Sequence, residues 1–134
     1  AAELSASELA RAGELADKRD CMEADLRAAM PDVRIFGAQA PRLPNTSYFG
    51  LAGLHGETVV MALDLAGISV SAGAACSSGK VSRSHVLDAM GIEHDVSSGA
   101  IRVSLGRDTG DGACDRLVES WLKQTAKLQC AAAQ

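Results

Sequence analysis

Nine consecutive residues, Ser71 to Gly79, carry no side chain larger than that of cysteine. Side chains this small bury little apolar surface, so the segment cannot contribute to a hydrophobic core. Two glycines within it leave the backbone free to adopt many conformations. We therefore predict a loop without regular structure of its own, and a loop of this length in a compact domain is commonly functional.

Around this segment, apolar residues recur with the periods of helices and strands. The 3.6-residue period predicts helices over residues 5–29, 57–66, 85–90 and 109–128. Alternation and short apolar runs predict extended segments at residues 33–36, 45–49, 68–71 and 100–105. The chain is therefore predicted to be one small α+β domain over residues 1–134, with a short, mostly antiparallel sheet flanked by helices.

The composition restricts both the core and the partners. Aromatic residues make up only 3% of the chain, so we expect a core of Leu, Val, Ile, Met and much Ala. A net charge of −4 without a basic patch argues against nucleic acid as a partner. No apolar run approaches the ~20 residues that cross a bilayer, so a membrane partner is not expected either.

The cysteines and the N-terminus indicate the compartment. The four cysteines are irregularly spaced, without a C-x-x-C pair, which argues against a metal site and against a disulfide framework. No signal peptide is visible, so we expect a cytoplasmic protein. The first residue is Ala1 rather than Met, which leads us to expect a processed product or a piece of a longer protein.

Cys76 is the first candidate for chemistry. It lacks the periodic apolar neighbours that accompany a buried structural cysteine. Lys80 and Arg83 would stabilise its thiolate if the segment folds back on itself. On residue type alone, a reactive thiol and a surface thiol without a role both stay open.

Arg102 is the second candidate. In the run Ile101-Arg102-Val103-Ser104-Leu105 the apolar residues alternate, which predicts that Arg102 and Ser104 share the face opposite the core. A guanidinium there offers the planar fork of donors that binds a carboxylate with two hydrogen bonds. The alternative is an ordinary solvated strand face, and spacing alone does not separate the two.

The other polar residues give weaker signals. His55 is expected in the loop before the second helix, and His85 in a packing or capping role. Arg107 is expected in a turn or an ion pair, and Pro44-Asn45-Thr46 alone indicates a turn. Cys21, Cys114 and Cys130 carry no sign of function.

Several segments occur together in a characteristic order. They are Leu43-Pro44-Asn45-Thr46, Gly56-Glu57, Ala66 to Gly79, Ser84-His85-Val86-Leu87-Asp88-Ala89-Met90-Gly91 and Ile101-Arg102-Val103-Ser104-Leu105-Gly106-Arg107. In these motifs the chain resembles, over about residues 7–128, the C-terminal small domain of the NifS/IscS-like cysteine desulfurases of the class V aminotransferase fold.

The resemblance implies a role for each candidate. Cys76 matches the nucleophile that attacks the sulfur of L-cysteine bound to pyridoxal phosphate, leaving L-alanine and a persulfide. Arg102 matches the arginine that binds the substrate carboxylate. The resemblance further implies a homodimer and a sulfur-acceptor protein such as an iron–sulfur cluster scaffold.

The cofactor lysine of the resembled family is missing. It stands in a Ser-x-His-Lys context in the large domain, and none of Lys18, Lys80, Lys123 and Lys127 has that context. The resemblance therefore implies that the pyridoxal phosphate domain is absent from this chain, which alone would be inactive and bind no cofactor.

Two other functions stay open at this point. One is a relative of the same fold that acts on selenocysteine or another amino acid. The other is a standalone thiol carrier or interaction domain that accepts sulfur without catalysing its release. An upstream reading frame with a Ser-x-His-Lys motif would discriminate against the carrier.

Overall fold

The computed structural model describes residues 5–38, 43–72, 76–77, 80–81, 87, 89–106, 109–110 and 112–132. The helices and strands follow in chain order as α1 (Ala6–Ala29), β1 (Arg34–Ile35), β2 (Thr46–Gly50), α2 (Gly56–Leu65), β3 (Ser71–Ala72), β4 (Cys76–Ser77), β5 (Lys80–Val81), α3 (His94–Ser97), β6 (Ile101–Ser104) and α4 (Ala113–Ala132). This is the α+β class that the sequence predicts.

Four strands form an antiparallel sheet in the order β1-β2-β6-β3. Strand β6, the last strand along the chain, lies inside the sheet between β2 and β3. Its burial alternates strictly, with Ile101 and Val103 buried and Arg102 and Ser104 exposed, which confirms the predicted faces. Strands β4 and β5 form a separate two-stranded ribbon.

The main core lies between the sheet and the helices α1, α2 and α4. Trp121 of α4 meets Phe49 of β2 edge to face, with ring centroids 5.5 Å apart, and both are among the largest fully buried side chains. The expectation of an alanine-rich core is wrong, since Ala100 is the only alanine among the buried hydrophobic residues that the structure describes. Alanines such as Ala24 and Ala28 instead occupy exposed positions of α1, where they favour the helix by propensity.

A smaller apolar cluster lies on the other face of the sheet, which we call the outer face. Phe36, just after β1, donates its backbone N–H to the Tyr48 carbonyl at 2.8 Å and so extends the pairing with β2. Its ring meets the Tyr48 ring edge on, at 5.3 Å between centroids. Leu87, Val96 and Ala100 complete the cluster, and these three side chains cover the β1 side of the outer face.

Helix α4 begins later than the sequence predicts. It starts at Ala113 rather than at residue 109, because Gly110 and Gly112 precede it and glycine costs about 1 kcal/mol relative to alanine inside a helix. Gly106 and Thr109 are instead hydrogen-bonded to each other, with Thr109 Oγ1 accepting the Gly106 N–H at 2.7 Å. The short helix α3 was not predicted, since four residues are too few to show a period.

Half of the predicted helix over residues 85–90 lies outside the described residues. Of the described half, Leu87 and Ala89 are helical and Met90 lies in a turn. The C-terminal stop predicted for α2 is confirmed, because Gly67 follows its last turn with a φ of 87°. Within the part of the chain that is described, no helix is both long and apolar enough to cross a membrane.

Three glycines allow the segment before β6 to pack closely on the segment between β2 and α2. A Cβ atom on Gly99 would lie 2.5 Å from the Leu51 carbonyl oxygen and 2.9 Å from that of Leu54. A Cβ atom on Gly56 would lie 2.6 Å from the Ala100 carbonyl oxygen, and one on Gly50 would lie 2.8 Å from that of Val96. No side chain fits at these contacts, because the atoms that would have to move belong to the backbone.

Gly99→Ala is expected to lower the free energy of unfolding by about 1–3 kcal/mol, the usual cost of overpacking. The measurement is urea-induced unfolding followed by circular dichroism. Gly110→Ala is the matched control, since a Cβ there meets nothing within 4 Å. Equal urea midpoints for Gly99→Ala and Gly110→Ala would contradict the close backbone approach at Gly99.

Candidate functional site

Arg102 stands exposed on the outer face, in the middle of the sheet. Its strand is held on both sides, because Arg102 pairs with Tyr48 of β2 and with Ser71 of β3. Within the described residues, its guanidinium makes no hydrogen bond and no ion pair. A guanidinium on a rigid strand is well suited to binding an anionic ligand with two hydrogen bonds.

Four residues form a line across the outer face, one from each strand or its extension. We call Phe36, Tyr48, Arg102 and Ser71 the outer row. Directly opposite residues of antiparallel strands place their Cβ atoms about 5 Å apart on the same face. The row therefore passes from a buried phenyl ring, through a half-buried phenol, to an exposed guanidinium and an exposed hydroxyl.

Cys76 begins strand β4, where it pairs with Val81, while Ser77 pairs with Lys80. The predicted irregular loop of residues 71–79 is thus wrong in part, because β3 and β4 both lie in it and β4 pairs with β5. The position of the Cys76 thiol and the whole of Arg83 fall outside the described residues.

The backbone nevertheless ties Cys76 to Arg102. Strand β3 pairs with the strand that carries Arg102 and ends at Ala72, four residues before Cys76. Four residues of fully extended chain span at most about 14 Å. Cys76 is therefore kept within a short distance of the strand next to Arg102.

The lysines whose side chains the structure describes, Lys18, Lys123 and Lys127, do not form a pyridoxal phosphate site. Lys18 donates to the Thr109 carbonyl oxygen at 2.9 Å, and Lys123 and Lys127 lie exposed on α4. All three belong to helices packed on the core face of the sheet, away from Arg102. The Lys80 side chain falls outside the described residues. The described side chains thus do not fit that cofactor, and a lysine that bound it near Arg102 would be Lys80 or would come from outside this chain.

A cleft of about 450 Å³ opens between the start of α2 and α3, lined in part by His55, His94, Ser98 and Ala72. His55 precedes α2, as the sequence predicts, but its side chain does not cap the helix. Ala72 pairs with the buried Ile101, so it faces the side of the sheet opposite Arg102. The cleft and the outer row are therefore separate.

Sequence reasoning did not anticipate that His55 and His94 meet in one cleft. The two residues are far apart in the chain, and no local pattern links them. They come together because the Gly56 N–H donates to the Ser98 carbonyl oxygen at 2.7 Å, which joins the start of α2 to the end of α3. Among the described residues, no group of three or more His, Cys, Asp or Glu is placed to hold a metal ion.

The remaining cysteines are free thiols, with Cys21 and Cys130 exposed and Cys114 buried at the start of α4. Burial raises the pKa of the Cys114 thiol above its usual value, because the thiolate would lose hydration, and Asp115 and Cys21 act in the same direction. Lys18 opposes them by favouring the thiolate.

Because a raised pKa and burial both reduce the accessible thiolate, Cys114 is expected to react slowly with iodoacetamide. At pH 8, Cys21 and Cys130 should be modified at least about tenfold faster than Cys114, as measured by peptide mass spectrometry. The difference should disappear in urea. Equal rates in the folded protein would contradict the packing at the start of α4.

The chain is similar to known proteins over most of its length. The family model for the class V aminotransferases matches residues 5–117. The chain is 46% identical over 101 residues to a cysteine desulfurase of Cereibacter sphaeroides, a match that covers 75% of this chain and 26% of that protein. It is 37% identical over 111 residues to the cysteine desulfurase NifS of Azotobacter vinelandii, covering 83% of this chain and 28% of that protein.

The fold has solved counterparts. The structure of a NifS-like protein from Rickettsia africae superposes with a TM-score of 0.70 over 84% of this chain and 28% of that one, at 24% identity. A second structure, of a NifS-like protein, gives the same TM-score at 25% identity, covering 86% of this chain and 28% of its own. The chain spans about a quarter of the length of these relatives.

Proposed function

Because the chain belongs to the class V aminotransferase family, we propose that it is the C-terminal small domain of a pyridoxal-phosphate-dependent cysteine desulfurase. In this proposal Cys76 accepts sulfur from L-cysteine, and Arg102 binds the carboxylate of the same substrate. The relatives that carry the name cysteine desulfurase support the reaction.

One structural observation supports the proposal that Cys76 and Arg102 act on the same substrate. Ser71 of β3 lies directly opposite Arg102 of β6, and β3 leads within a few residues to Cys76. A carboxylate held by Arg102 would therefore lie beside the segment that carries the thiol. Holding both ends of a small substrate in this way is how an enzyme converts binding energy into correct orientation.

The proposed sulfur transfer balances without an external oxidant. The Cys76 thiolate attacks the sulfur of cysteine, and a new S–S bond forms as the bond between that sulfur and its Cβ carbon breaks. The electron pair of the broken bond stays with Cβ, which takes up a proton and becomes the methyl group of L-alanine. Cys76 is left as a persulfide, from which sulfur passes to the thiol of an acceptor protein.

The remainder of the reaction requires groups outside this chain. We propose that a large domain, which the longer relatives have room for, holds pyridoxal phosphate, and that two copies of the full-length protein form a dimer. The acceptor is proposed to be a thiol protein such as an iron–sulfur cluster scaffold, and the compartment the cytoplasm.

The test incubates the full-length protein with L-cysteine and measures two products together. L-Alanine should be released, and mass spectrometry should find one added sulfur atom on the peptide that contains Cys76. Release of alanine with the added sulfur on another cysteine would disprove the role of Cys76. A protein that binds the cofactor but releases no alanine would disprove desulfurase activity.

A further inference from the structure

The outer row places Tyr48 on one side of Arg102 and Ser71 on the other. We propose that Tyr48 is a positioning residue, whose ring holds the guanidinium of Arg102 for binding an amino-acid carboxylate on the Ser71 side. This inference rests on the proposed function, and it assigns to Tyr48 a role in how the substrate is oriented.

The ring of Tyr48 has a fixed position. Its edge-to-face contact with Phe36, at 82° between the ring planes, connects it to the apolar cluster on the outer face. Phe36 itself is only 6% exposed, so it cannot move aside without opening that cluster. Tyr48 is half-buried and ends the cluster on the side of Arg102. A tyrosine suits this boundary, because its side chain combines an apolar ring with a polar hydroxyl.

The side chain of Arg102, in contrast to the Tyr48 ring, is not held in one position. It is exposed and, as far as the chain is described, unpaired, so its long side chain samples many rotamers before a ligand binds. Ordering such a side chain on binding lowers affinity. An aromatic ring beside it reduces that loss, because a guanidinium is attracted to the face of a ring and stacks on it.

The two neighbours of Arg102 differ in size. On the β2 side the ring of Tyr48 forms a wall, whereas on the β3 side Ser71 offers only a hydroxymethyl group. Among the described residues, the β3 side is therefore the less crowded side of Arg102, next to the strand that leads to Cys76. A guanidinium held against the Tyr48 ring would leave its outward donors for a carboxylate on the β3 side, so Tyr48 would help determine where the carboxylate binds.

The test compares Tyr48→Ala with Tyr48→Phe in the full-length enzyme, with Ser104→Ala as control on the same face of β6. Two competing ligands are used. L-Alanine has the amine and the carboxylate, whereas cysteamine has the amine and the thiol without a carboxylate. For Tyr48→Ala, the KM for L-cysteine and the inhibition constant of L-alanine should rise about tenfold, within the range of a lost cation–π contact. The inhibition constant of cysteamine should change less than about twofold, and Tyr48→Phe should restore most of the affinity.

Each other outcome overturns the proposal. If Tyr48→Ala weakened the binding of L-alanine and of cysteamine equally, the variant would have a general structural defect. If Tyr48→Phe bound L-alanine as weakly as Tyr48→Ala does, the aromatic ring would not be the group that positions Arg102. Unchanged constants in Tyr48→Ala would show no role at all. If wild-type protein released no alanine from cysteine, the proposed function would fail. L-Alanine binding, measured by calorimetry on the same variants, would still decide the role of Tyr48.

Discussion

Replacing Cys76 by serine is expected to reduce alanine release from L-cysteine to below about one hundredth of the wild-type rate in the full-length protein. A serine hydroxyl has nearly the same shape as a thiol but is not ionised at neutral pH, so it cannot act as the sulfur-accepting nucleophile. Persulfide on the peptide from residues 71–80 should be undetectable by mass spectrometry.

The cofactor absorbance of Cys76→Ser should match that of the wild type, since no role in holding the cofactor is proposed for this residue. Cys130→Ser is the matched control, because Cys130 is an exposed thiol on α4, on the far side of the sheet from Arg102, and should retain full activity. Normal alanine release by Cys76→Ser would refute the assignment. Loss of the cofactor spectrum would instead indicate a structural role.

Arg102→Ala is expected to lower kcat/KM for L-cysteine by about 10²–10³, which corresponds to the roughly 3–4 kcal/mol of a lost bidentate ion pair with a carboxylate. Arg102→Lys should recover only part of this loss, because lysine keeps the charge but not the fork of donors. Steady-state kinetics with L-cysteine measures both variants.

The exposure of Arg102 makes this result interpretable. Its side chain fills no cavity, so Arg102→Ala should change the free energy of unfolding by no more than about 0.5 kcal/mol. A large loss of activity at unchanged stability would therefore reflect binding rather than misfolding. An unchanged KM and kcat would show that Arg102 is an ordinary solvated strand residue.

The sequence predicted the fold class and most of the elements because their signals are local. Alternation over five residues was enough to predict that Arg102 faces away from the core, and the 3.6-residue period located α1, α2 and most of α4. The composition was a poor guide to the core. It suggested many alanines, whereas burial depends on the face that each residue occupies, and Trp121 and Phe49 lie at the core.

For the candidate site, the sequence by itself determined which residue types are present. It identified a cysteine in a segment of small residues, an arginine on an alternating strand, and the lack of a lysine in the cofactor context. Each of these signals depends only on a residue and its immediate neighbours in the chain, so no knowledge of the fold was needed to find it.

Only the tertiary structure decided what lies beside those residues. That Tyr48 and Ser71 flank Arg102 depends on the register of three strands from distant parts of the chain. Register is fixed by burying one face of every strand at once and by close backbone approaches such as that at Gly99, and neither is visible in a local pattern. The order β1-β2-β6-β3 therefore decides which side chains surround the guanidinium and places the strand leading to Cys76 next to it.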